Sequence, residues 1–219
     1  MTGLRLPARA FFSYSVRCPY LARRPTIDGN LHEWPVSTCL PDLMAIEGGD
    51  SFAELRVGWD EAGLYCGVSV PDKTRYRIDP RNWAAGDCLE LWIDTRDLKD
   101  VHRAHRYCHH FYFLPGGSGS DGRQPIGRQA SIEHAREQAP PCPEELIRLG
   151  LRRLKRSYQL EIWLPSAGLN GFEPDEFSRL GFTYLLHDCQ HGKQSWSAGP
   201  ELPVATDPSL WGTLELVRD

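Results

Sequence analysis

Apolar and polar residues alternate along residues 53–70, and the alternation breaks once, in the middle. Ala53, Leu55, Val57 and Trp59 share one side by period two, as do Leu64, Cys66, Val68 and Val70 after the break. The intervening Asp60-Glu-Ala-Gly63 supplies turn residues, with Gly63 available for a positive φ. The pattern predicts a β-hairpin. Residues 87–94 alternate again, Leu89, Leu91 and Ile93 pointing one way and Cys88, Glu90, Trp92 and Asp94 the other. A strand over residues 109–114 follows, ended by Pro115-Gly-Gly-Ser-Gly119. Residues 116–143, rich in Gly, Ser, Gln and Pro, read as a long exposed loop with a short helix at 132–138.

Downstream, residues 146–154 give a strand candidate interrupted by arginines. Residues 158–164 direct Tyr158, Leu160, Ile162 and Leu164 inward, and 180–187 do so with Leu180, Phe182, Tyr184 and Leu186. Ser195-Trp-Ser197 and residues 211–216 close the pattern. Short strands with turn signals between them predict an all-β antiparallel β-sandwich, of immunoglobulin-like or jelly-roll type, with a long loop insertion. The 17 prolines and 20 glycines among 219 residues agree with many short strands. No shift in composition divides the chain, so residues 25–219 are expected to form one domain and residues 1–24 an N-terminal extension.

A net charge of −4 argues against a general nucleic-acid surface, and no apolar run reaches the length of a membrane span. Pro7, Arg9, Ser13 and Ser15 interrupt any apolar signal core, and the seven cysteines are odd in number without a Cys-x-x-Cys pair. Reduced thiols in a cytoplasmic protein are the expectation.

The order of short motifs resembles the family 9 carbohydrate-binding modules and the wider DOMON-like sandwiches. The matching elements are Ile27-Asp-Gly-x-x-x-Glu-Trp34, Leu55-Arg-Val-x-Trp-Asp60 and Asp87-x-Leu-Glu-Leu-x-Ile-Asp94, then Tyr158-x-Leu-Glu161, Ser195-Trp-Ser197 and Asp207-Pro-Ser209 before Trp211-Gly212. In sugar-binding members two tryptophans sandwich a terminal sugar, whose apolar C–H face packs on an aromatic ring while its hydroxyls take directional partners. The resemblance makes Trp83 one platform and Glu90 the acidic partner. The second platform would fall before Asp207-Pro-Ser, where Pro203-Val-Ala-Thr206 holds no aromatic. The family's basic residue on the next strand is replaced, with Tyr112 near its position and His110 pointing the same way.

The candidate ligand-binding residues are therefore Trp83, Glu90, Trp92, His110 and Tyr112. They imply a non-catalytic domain that binds a saccharide or similar polyhydroxylated ligand, tied by resemblance to carbohydrate catabolism. For Trp83 a cap on the sandwich end is the competing role, and for Trp92 a structural layer under the long loop. Trp34, Trp59, Trp196 and Trp211 read as core. The rival function is a structural or protein-interaction sandwich that has lost the sugar site. A third is a glycoside-acting enzyme using Glu90 and Glu161 as a carboxyl pair on neighbouring strands.

No cofactor is expected. The resemblance implies structural calcium, with Asp60, Asp72, Asp87 and Asp94 as candidate ligands, though none sits in a recognisable calcium loop. His102, His105 and His109 would line one side of a helix and could hold a metal, but the segment runs into a strand at His109, which favours a solvated loop. Met44 has no plausible haem-ligating partner, which argues against haem.

Overall fold

A computed structural model describes residues 8–199 and 201–218. The hairpin forms as predicted: β2 (Glu54–Asp60) and β3 (Gly63–Pro71) pair antiparallel, Leu55 opposite Val68 and Trp59 opposite Leu64. Gly63 has φ +153, and a Cβ there would come within 2.1 Å of the Leu164 carbonyl oxygen, so only glycine fits this turn. The Asp60 carboxylate accepts from the Ala62 and Gly63 N–H groups and closes it.

β3 pairs antiparallel with β8 (Ser157–Pro165), and β8 with β7 (Arg148–Leu154), giving a four-stranded sheet in the order β2-β3-β8-β7. Strand β7 lies at the edge of this sheet, and its exposed arginines blunt that edge against further pairing. The second sheet has seven strands. Its path is β1 (Ser15–Pro19), β11 (Gly212–Val217), β9 (Arg179–Asp188), β4 (Cys88–Asp94), β5 (Cys108–Ser118) and β6 (Gln124–Ala130), with β10 (Gly192–Ser195) on the far end of β9. All pairings are antiparallel except β1 with β11, which run parallel from Ser15↔Thr213 to Pro19↔Val217.

The inward rows meet between the sheets in one core: Leu55, Val57 and Trp59; Leu64 to Val70; Leu89, Leu91 and Ile93; Tyr158 to Leu164; Leu180 to Leu186. The architecture is the all-β sandwich that the alternation predicts. Trp34, Trp59, Trp196 and Trp211 are all buried.

Two stretches differ from expectation. Part of the span read as loop is strand β6, and β5 runs on through Pro115-Gly-Gly to Ser118 by way of a register shift after Leu114. A proline followed by two positive-φ glycines breaks a regular ladder, which hid the continuation; a bulge accommodates all three. Residues 132–138 form turns and no helix, because the Gln138 side chain takes both the N–H and the carbonyl of Ile132. The N-terminal extension contributes β1, while residues 1–7 lie outside the described residues.

Candidate functional site

The outer face of the seven-stranded sheet carries the predicted residues, and the strand registers bring them together. Glu90 lies opposite Tyr112 and Trp92 opposite His110 across β4–β5, while Cys88 faces His187 across β4–β9. The Glu90 carboxylate accepts from His110 Nε2–H at 2.9 Å and from His187 Nε2–H at 2.7 Å. Each oxygen therefore has one donor and retains a lone pair. Glu90, His110 and His187 are all buried, with 6–7 % exposure.

Burial pushes the Glu90 carboxyl up, but the hydrogen bonds and charges of the two histidines outweigh it, and the pKa falls below the ordinary 4.5. A lowered carboxyl pKa stabilises the fold above the unfolded value, and that contribution disappears as pH falls through the folded value. Acid-unfolding curves followed by circular dichroism should show the parent losing stability below pH ~4 more steeply than Glu90→Gln. Parallel curves would remove this role.

Trp83 reaches the same face from the loop between β3 and β4. Asp79 turns that loop by accepting from the Arg81 and Asn82 N–H groups, and Asp87 pins it by accepting from Arg77 N–H at 2.8 Å. The indole lies parallel to the Tyr112 ring at 4.5 Å and meets His110 edge-on at 5.8 Å. It is half-buried over a small cluster of Cys88, Tyr112 and Leu114. Tyr112 covers one face of the ring, so Trp83 caps this cluster and keeps a partly open surface.

Trp92 is placed differently. It is 1 % exposed, stacked at 4.5 Å behind His110, and packed with Leu185, Val204 and Trp211. It backs His110 and offers no wall to a ligand. Val204, in the stretch where a second platform would stand, turns into this cluster. Sequence reasoning missed His187, although it follows inward Leu186 and so falls in the outward phase, and Arg128, cross-strand from Tyr112 and paired with Glu144 at 2.8 Å.

Glu161 is not beside Glu90. It lies on β8 in the other sheet, alternating with inward Leu160 and Ile162, so the two carboxyls point away from each other across the sandwich. Glu161 instead gathers the opening turn: it accepts from the Asp28 N–H at 2.8 Å, from Gly29 and Asn30 N–H, and from Trp34 Nε1–H at 2.7 Å. Gly29 (φ +88) and Gly150 allow this close approach, since a Cβ on either would strike the backbone of the other's segment.

The calcium candidates do not fit that ion, which takes six to eight oxygens in one place. Asp60 serves Arg24 and Tyr65, and Asp72 serves Arg156. Asp94 accepts from the Arg96 and Leu98 N–H groups. Asp87 has a cation already, the buried Lys73 ammonium at 2.6 Å, which also contacts Asp188 at 2.8 Å. The three histidines do not share a helix face either. His102 is exposed beside Asp207, and His109 turns inward against Phe111, its pKa lowered to about 4 by burial against the opposing hydrogen bond to the Asn170 carbonyl.

No protein-family model and no curated protein sequence matches the chain. Solved structures do. A family 9 carbohydrate-binding module from Caldicellulosiruptor kristjanssonii in complex with cellotriose superposes with a TM-score of 0.61 at 14 % identity, covering 94 % of each chain. The same kind of module in complex with glucose gives 0.58 at 13 %, covering 94 % of this chain and 96 % of that one. The fold thus has a counterpart over nearly the whole length, and the chain has the β-sandwich fold of the family 9 carbohydrate-binding modules.

Proposed function

We propose that the chain is a non-catalytic carbohydrate-binding domain that takes a saccharide against Trp83 on the outer face of the seven-stranded sheet. The observation that carries this reading is the half-buried Trp83 indole, supported from beneath by Tyr112 and set edge-on to His110, which donates to a Glu90 carboxylate with unused lone pairs. A pyranose ring can stack on the uncovered part of the indole while a hydroxyl donates to Glu90. The cellotriose and glucose held by the structural neighbours support the ligand class. Glu90 and Glu161 in separate sheets support a binding role over hydrolysis, which needs two carboxyls flanking one bond.

With a single platform, affinity is expected on the order of micromolar to millimolar. Titration of intrinsic tryptophan fluorescence with mono- and oligosaccharides tests the proposal. Trp83→Ala should weaken binding at least about tenfold, or ~1.4 kcal/mol. A flat response of the parent to every sugar would overturn it and leave a structural or protein-interaction sandwich, the reading favoured by Val204 turning inward where a second platform would stand.

A further inference from the structure

We propose that Asp94, His105 and Cys108 form a transition-metal site at the β4–β5 junction, suited to Zn²⁺. Asp94 ends β4, Cys108 begins β5, and the two are cross-strand partners. The loop between them is folded back by Thr95 N–H on the Tyr107 carbonyl and Cys108 N–H on the His105 carbonyl, which carries the imidazole onto the junction. A carboxylate oxygen, Nε2 and Sγ then lie within 4.8 Å of one another. The Asp94 Oδ2 to His105 Nε2 separation is 3.8 Å, too long for a hydrogen bond and a few tenths of an ångström above the about 3.4 Å oxygen–nitrogen edge of a zinc tetrahedron, a gap that side-chain rotation can close.

Polar satisfaction points the same way. His105 Nε2 is buried with no hydrogen-bond partner, an arrangement that native interiors avoid. The Asp94 oxygens are oriented by the Arg96 and Leu98 N–H groups at 2.9 Å each and keep lone pairs toward the cluster. Cys108 is 2 % exposed, whereas the His105 side chain is 16 % exposed, which leaves a route in from solvent. Mixed nitrogen, oxygen and sulfur donors select a borderline cation such as Zn²⁺ over calcium or magnesium. Binding transfers the Cys108 thiol proton to solvent and moves the neutral imidazole proton to Nδ1, so the 3.3 Å contact from Tyr107 N–H to Nδ1 is given up.

Co²⁺ is the probe. Added to the metal-stripped chain, it should produce a thiolate-to-cobalt charge-transfer band that saturates at one equivalent and is bleached by Zn²⁺. Cys108→Ser should lose the band, and His105→Ala, a loop change that leaves both strands intact, should weaken Co²⁺ binding at least tenfold. Zn²⁺ should raise the melting temperature of the parent and leave that of His105→Ala unchanged. Cys189→Ser, at the exposed thiol, should retain the band. The proposal is overturned if the parent shows no band, if the band survives both cluster variants, or if it vanishes with Cys189→Ser. It stands or falls independently of sugar binding.

Discussion

Lys73→Met is expected to destabilise the fold by about 3–5 kcal/mol, the usual result of removing one partner from a buried ion pair. The Lys73 ammonium is fully buried and contacts Asp87 Oδ1 at 2.6 Å and Asp188 Oδ2 at 2.8 Å, both carboxylates being equally enclosed. Methionine preserves most of the volume, so the loss reads out charge and not a cavity. Two carboxylates would then face each other without a cation, and protonation is their cheapest relief. The variant should therefore recover part of its deficit as pH falls, because in it the folded state binds protons more tightly than the unfolded one. Urea melts at pH 7 and pH 5 check this, with Lys73→Met/Asp87→Asn/Asp188→Asn expected to regain stability at neutral pH. A loss below about 1 kcal/mol would mean that the enclosed triad contributes little.

Glu161→Ala should cost about 3 kcal/mol or more. Its carboxylate accepts from three consecutive backbone N–H groups and from the Trp34 indole, and the Gly29 and Trp34 contacts are buried. Each buried donor left without a partner costs roughly 1–3 kcal/mol. Burial raises the Glu161 pKa despite the donors around it, so the stabilising feature is its accepting lone pairs and not its charge. Glu161→Gln keeps one acceptor and turns an amide N–H₂ toward donors, and it should fall between parent and alanine variant. Thermal melts of the three proteins test the order; equal melting temperatures for Ala and parent would contradict it.

The scaffold was legible because both faces of the hairpin and of residues 158–164 and 180–187 obey a strict period of two, which register converts directly into a core. The candidate site was legible only in part. Glu90, His110 and Tyr112 lie in one outward phase, and the structure joins them. Trp92 shares that phase yet is buried, since alternation tells which face a side chain takes and not whether a later segment covers that face. Here Ala198, Val204 and Trp211 do so. Strand β6 escaped notice because Gln124-Pro-Ile-Gly has no apolar alternation; it is recruited by pairing with β5. Glu161 looked like half of an acid pair because a sequence does not say which sheet a strand joins.

The parallel pairing of Ser15–Pro19 with Gly212–Val217 has a consequence for how this molecule is made. On the ribosome β1 emerges long before β11, and although the Trp59 indole N–H can reach the Cys18 carbonyl early, the β1–β11 ladder must wait until the strands between them have been made. Closing so distant a contact is slow, because the chain loses its conformational freedom before the ladder repays it. The larger sheet therefore joins the first of its strands to be made to the last, and β1 goes without its ladder until residues 212–217 have been synthesised.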